Sequence, residues 1–200
     1  NEMIYCTFLG GSEDERGHGI AVDKNGSAYV TGYTWSVDFP VKEQFQDDRE
    51  GMDIFITKLD PAGNDLQFST YFGGDGYDAA NAIALSENGD FFITGVTDSK
   101  DFPTKNNFQE DHDTVDAFVT KMNSTASEII YSTYLGGSKN DHAHAIAIDD
   151  AGNAYIAGET NSINFPIKNA LQKYNQGYDV FITKLNPVGE NIVYSTYLGG

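Results

Sequence analysis

The chain is 200 residues long, with 30 acidic against 12 basic side chains and a formal net charge of −18. That surface repels phosphate backbones and anionic membrane surfaces, so nucleic acid and membrane binding are excluded as leading functions. No apolar run approaches membrane-spanning length, and the single cysteine, Cys6, excludes a disulfide within the chain.

In chain order, the first element expected is a strand over residues 3–9, ending on Gly10–Gly11. The phrase it belongs to, Tyr-Cys-Thr-Phe-Leu-Gly-Gly, returns with small changes before Gly73–Gly74, Gly136–Gly137 and Gly199–Gly200, each step 63 residues. The chain thus opens in mid-phrase and reads as a piece of something longer. Cys6 stands in the slot that Ser69, Ser132 and Ser195 fill, and is read as a small filler, with a reactive or metal-binding thiol as the alternative.

Each following copy, over 12–74, 75–137 and 138–200, reads as four short strands joined by hairpin turns. In the third copy the strands are residues 145–149, 154–160, 179–185 and 192–198. Turns rich in Asp, Asn, Gly and Pro separate the first from the second and the third from the fourth. No stretch has helical spacing of apolar residues. Several strands, such as Gly-Ile-Ala-Val at 19–22 and Phe-Phe-Ile-Thr-Gly-Val at 91–96, are apolar on both faces. Sheets covered on both sides need that, and radially stacked blades supply it. The fold class predicted is all-β: a β-propeller of four-stranded antiparallel blades, one per 63 residues, part of a larger propeller. Residues 3–9 are then the outer strand of a preceding blade. The Gly-Gly pair is expected where the chain leaves the outer strand, using positive φ and close packing.

The turn between first and second strands carries Asp23 and Asn25 in the first copy, and Asp149, Asp150 and Asn153 in the third. Turn chemistry alone favours these residues. Oxygen-bearing side chains around a glycine also resemble a calcium loop, which makes calcium the candidate cofactor. An acid precedes the first strand in every copy (Glu15, Asp78, Asp141), read as an acceptor for backbone N–H groups in the crossing loop, with cation attraction as the alternative. The histidines are His18, His112, His142 and His144. They are read as ordinary polar residues, with a transition-metal site as the alternative.

The long loop between second and third strands has fixed parts, Phe39, Phe102 and Phe165, then Phe45, Phe108 and Leu171, expected to anchor it on the blade. Its variable parts are expected to face solvent and to carry any specific binding. Asp47, Asp48 and Tyr174 are the candidates there. Trp35, whose counterparts are Asp98 and Asn161, is a candidate for stacking on a sugar as well as for plain packing.

Four recurring motifs, Tyr-Ser-Thr-Tyr-Leu-Gly-Gly, Asp-x-x-Gly-Asn-Ala-Tyr, Gly-x-Thr-x-Ser-x-x-Phe-Pro and Asp-x-Phe-x-Thr-Lys-Leu, together resemble the bacterial β-propeller repeat family called SBBP, over nearly the whole chain. Ser86 replaces the Asp of Asp23 and Asp149, and Ser124 replaces the Pro of Pro61 and Pro187. The resemblance implies secreted or cell-surface proteins and no defined catalytic site. The function expected is a non-enzymatic extracellular scaffold for adhesion, assembly or protein–protein interaction, with proteins or surface glycans as partners. Further blades, of the same chain or another copy, are needed for closure. Alternatives are a glycan-binding lectin and a carbohydrate-active hydrolase or lyase. A hydrolase needs an asymmetric pair of carboxylates in a pocket, which acids repeated in every blade do not resemble.

Overall fold

A computed structural model describes residues 3–48, 50–110, 114–173 and 177–199. Twelve strands form three sheets: β1 (Glu15–Val22), β2 (Ala28–Thr34), β3 (Asp53–Leu59) and β4 (Leu66–Phe72); β5 (Asp78–Leu85), β6 (Phe91–Thr97), β7 (Asp116–Met122) and β8 (Ile129–Leu135); β9 (Asp141–Ile148), β10 (Ala154–Thr160), β11 (Asp179–Leu185) and β12 (Ile192–Leu198). Each sheet is an antiparallel meander in sequence order. The second, third and fourth strands expected in the third copy are found with the same bounds. The first starts four residues earlier, because the polar Asp141 and His142 pair with Thr160 and Glu159.

Successive sheets pack face to face, with β5 against β1, β2 and β3, and β9 against β5, β6 and β7. The first strands therefore lie innermost, as in propeller blades. The first junction buries Tyr29, Ile54, Ile56, Phe68 and Phe72 against Ile83, Phe91 and Ile93. The second buries Phe92, Val119, Tyr131 and Leu135 against Ala143, Ile156 and Phe181. This is why the strands are apolar on both faces.

Each inner strand carries a bulge, at His18, Asn81 and His144. Gly32, Gly95 and Gly158 face these bulges, and a Cβ there would run into the carbonyl oxygens of Arg16, Ala79 and His142. That close approach accounts for the repeated Gly of Gly-x-Thr.

The outermost strands are not bare edges. The long loop runs back alongside them: Lys42, Lys105 and Lys168 form isolated bridges to Ser69, Ser132 and Ser195. These short pairings cover part of the unpaired ladder that an edge strand exposes. Phe39, Phe102 and Phe165 are buried as expected and pack on Phe55, Phe118 and Phe181 with ring centroids 4.9, 4.8 and 4.5 Å apart. Tyr71, Tyr134 and Tyr197 donate their hydroxyls to the carbonyls of Ser36, Ser99 and Ser162 at 2.8, 2.7 and 2.7 Å. Of the second set of anchors, Phe108 packs against the core as expected, Phe45 is partly exposed but meets the buried Phe72 ring, and Leu171 is exposed; the neighbouring glutamines hold the loop as well. Gln46 and Gln109 donate to the Gly73 and Gly136 carbonyls at 2.7 and 2.8 Å, and Gln172 bonds Gly199 in the same way.

Residues 3–9 form no strand. Their counterparts β4, β8 and β12 each pair with the third strand of their own copy, and residues 3–9 have no such ladder partner among the described residues. Cys6 is accordingly exposed, whereas Ser69, Ser132 and Ser195 are buried and share hydrogen bonds with Thr57, Thr120 and Thr183 at 2.8, 2.7 and 2.8 Å. The segment still lies as an outer strand does toward the next blade. Tyr5 packs over Gly63 as Tyr131 packs over Gly189.

Candidate functional site

The meander puts the Gly-Gly crossings and the long loops at one end of the blades, and the tight turns at the other. At the crossing end, each inner-strand acid closes a hydrogen-bonded clasp. Asp78 Oδ2 accepts from Gly74 N at 2.8 Å and Ser99 Oγ at 2.7 Å. Asp141 Oδ2 accepts from Gly137 N at 2.6 Å and Ser162 Oγ at 2.9 Å. Glu15 Oε1 accepts from Gly11 N at 3.2 Å and from Ser36 Oγ. The Asp-Phe-Pro residue adds a second acceptor, as Asp38, Asp101 and Asn164 take the backbone N–H of Ser12, Asp75 and Ser138 at 2.8, 2.9 and 2.9 Å. The repeated acids thus do the structural work expected of them.

Among the described residues the crossing glycines are required for space and not for positive φ: the glycines with positive φ lie elsewhere. A Cβ on Gly73 would stand 2.6 Å from Asp78 Oδ2 and 2.7 Å from Asp53 Oδ1, and one on Gly74 would stand 2.6 Å from Ser99 Cβ. Burial, working against hydrogen bonds from Gly74 and Ser99, pushes the Asp78 carboxyl up to about 6, and burial raises Asp141 as well.

At the turn end, the candidate calcium carboxylates are already engaged. Asp23 Oδ1 accepts from Asn25 N at 2.9 Å and Ser27 N at 3.0 Å, and its Oδ2 lies 3.2 Å from Lys58 Nζ. Asp149 Oδ1 accepts from Asn153 N at 2.9 Å. Its Oδ2 takes Tyr155 OH at 3.0 Å, Asn153 Nδ2 at 2.8 Å and Lys184 Nζ at 3.1 Å. Partial burial raises both carboxyls, yet these bonds hold both below the ordinary range. The ammonium also lies over an aromatic ring, Lys58 on Tyr29 and Lys184 on Tyr155, each at 4.6 Å.

In the second blade Ser86 removes the carboxylate, and Asp90, four residues on, supplies one 3.8 Å from Lys121 Nζ. A lysine therefore takes the cation's place in every blade. Asn25 and Asp150 are exposed and complete no oxygen shell, so this donor set does not fit calcium. Among the described residues no group of three or more His, Cys, Asp or Glu side chains is arranged to hold a metal.

His18 Nδ1 lies 3.1 Å from Asn81 Oδ1, and Asn81 Nδ2 donates to the Ala143 carbonyl at 2.8 Å, so the bulge residues link the inner strands side by side. His142 and His144 both approach Glu159, at 3.3 and 3.8 Å. His112 and Tyr174 lie outside the described residues. Asp47 is exposed and held by Gln44. Asp48 is half-buried, with its carboxyl raised by burial and hydrogen-bonded to Asp53. It is turned into the crossing, contrary to the solvent-facing position expected.

Trp35 is the aromatic candidate among the described residues, and its surface is open. It is 41% exposed, beside a shallow pocket of about 480 Å³ lined by Ser12, Glu13, Asp14, Trp35 and Val37. Its ring meets that of Tyr77 edge to face at 5.4 Å. None of the recurring motifs points to Tyr77. The one signal in the sequence is its departure from the polar residues Asp14 and Asn140 at the same repeat position.

The beta-propeller repeat model SBBP matches the chain three times, over residues 4–40, 67–103 and 130–166. Each match begins in an outer-strand phrase and ends on the proline of the loop anchor, spanning the crossing clasp. No curated protein matches the chain.

Proposed function

Because the chain belongs to the SBBP beta-propeller repeat family, we propose that it serves as a non-enzymatic propeller scaffold in an extracellular or cell-surface setting, working through assembly and protein–protein contact. The observation that carries this is the pair of faces left open at either end of the stack. Val180 on β11 is 47% exposed, while Ile54 and Ala117 at the same repeat position are fully buried by the next blade. Ile20 on β1 is 68% exposed, while Ile83 is 9% exposed against the preceding blade. The two open faces are thus the two halves of the interior junction, and a further blade of the same repeat is the partner they fit.

The non-enzymatic reading is supported by the acids. Asp53, Asp78, Asp116 and Asp141 are buried at the crossings, where Asp78 and Asp141 accept hydrogen bonds from backbone N–H groups. The extracellular setting rests on the family resemblance. Sedimentation velocity across a range of concentrations tests the assembly reading. The wild-type chain should self-associate, and Val180→Asp and Ile20→Asp should each weaken that association. A chain that stays monomeric at high concentration, or associates equally well with both substitutions, would overturn it.

A further inference from the structure

Two repeat positions turn aromatic once each, and they meet in space. Position 35 is Trp in the first copy, where the later copies have Asp98 and Asn161. Position 77 is Tyr where its counterparts are Asp14 and Asn140. The rings lie 5.4 Å apart, edge to face, across the first crossing. Neither is buried: Trp35 is 41% exposed and Tyr77 53%. Packing does not account for the pair, since the second junction does without it.

The pocket beside Trp35 carries two carboxylates, Glu13 and Asp14. The backbone holds both beside the indole, as Trp35 N donates to the Asp14 carbonyl at 3.0 Å and Glu13 N donates to Ser36 Oγ at 2.7 Å. No residue lining this pocket is basic. The neighbouring base, Arg16, is committed to the Tyr33 ring, 6.0 Å from its centroid. An aromatic face beside two carboxylates attracts a positive group by both the ring quadrupole and Coulomb's law. The net charge of −18 adds long-range attraction for the same sign. A neutral sugar would use the ring and leave the charge unanswered.

We infer that the pocket beside Trp35 binds an organic cation, an ammonium or guanidinium group, laid against the indole, whose edge-to-face contact with Tyr77 steadies it, and held by Glu13 and Asp14. The pocket lies at the crossing into the first blade, where Ser12, Glu13 and Asp14 meet the start of the loop after β2.

Trp35 is the only tryptophan in the chain, so its fluorescence reports directly on the pocket. The full chain is titrated with tetramethylammonium chloride and, separately, with a hexa-arginine peptide. Sodium chloride of matched ionic strength and cellohexaose serve as controls. A saturable change in emission is expected with the cations and not with the controls. A response to tetramethylammonium marks a small-molecule cation site, and a response to the peptide alone marks a site for a protein's basic side chain. Either response supports the inference. Glu13→Gln with Asp14→Asn, and Tyr77→Ala alone, should each weaken binding about threefold to tenfold while leaving the thermal melt unchanged. No saturable response to either cation, a response to cellohexaose alone, or cation binding unchanged in the Glu13→Gln, Asp14→Asn chain would overturn it.

Discussion

Ser99 Oγ donates to Asp78 Oδ2 at 2.7 Å, with both side chains buried. The same serine accepts from Gly76 N at 2.8 Å. One hydroxyl thus ties the loop after β6 to the strand that begins the blade. Ser162 and Asp141 repeat the bond at 2.9 Å.

Stability should fall as pH rises from about 4 through about 6 and level off above that. Burial pushes the Asp78 carboxyl up to about 6 from its ordinary 3.8, with the nearby Asp98 charge adding to the rise. A carboxyl that holds its proton more tightly when folded contributes fully below its unfolded pKa. That contribution is lost as pH passes the folded value. Urea unfolding should give roughly 2 kcal/mol less stability at pH 7.5 than at pH 4 from this group. Asp78→Asn keeps an acceptor for Gly74 and Ser99 and should flatten the profile. Identical pH profiles for the two proteins would refute the assignment.

Gly73→Ala should be among the most damaging small substitutions. The added methyl would stand 2.6 and 2.7 Å from two carboxylate oxygens that the clasp cannot release. A loss of about 3 kcal/mol or more is expected in denaturant unfolding. A loss under about 1 kcal/mol would mean that the crossing is loose.

Glu43→Asn should stabilise the chain. Glu43 has φ +48, a left-handed conformation shared by Asn106 and Asn169 at the same repeat position, each at +49. Asparagine tolerates that region better than Glu. The Asn106 and Asn169 amides also donate to the Ile130 and Val193 carbonyls at 3.2 and 3.4 Å, so the substituted amide gains a partner on Gln67. A gain of about 0.5–1 kcal/mol is expected. An unchanged or lowered melting temperature would contradict it.

Calcium should leave the melting temperature where it is. Lys58 and Lys184 already neutralise Asp23 and Asp149. A clear upward shift in millimolar calcium, absent in Asp149→Asn, would show that the lysine yields to the metal.

The architecture was legible because its causes repeat. Twelve strands at a fixed spacing, the turns and the Phe39-type anchors all follow from local pattern. The role of the Gly-Gly pair was only half legible, since close approach to Asp53 and Asp78 depends on strands far apart in sequence. The turn carboxylates were misleading for the same reason. Their lysine partners come from the third strand, and no spacing within the turn reveals them. Residues 3–9 carry a strand's sequence without its ladder, because a strand needs a partner as well as a propensity. Tyr77 went unnoticed because its significance lies in meeting Trp35 across the crossing.

The stacking of blades is tested most directly by placing one charge at one repeat position in two blades. Ile54 is fully buried at the first junction, and Val180, its counterpart, is 47% exposed on the open face. Urea unfolding at low protein concentration should show Ile54→Asp costing about 3 kcal/mol or more, or failing to fold. Val180→Asp should stay within about 0.5 kcal/mol of the wild type. Equal costs at the two positions would contradict the arrangement of the three blades.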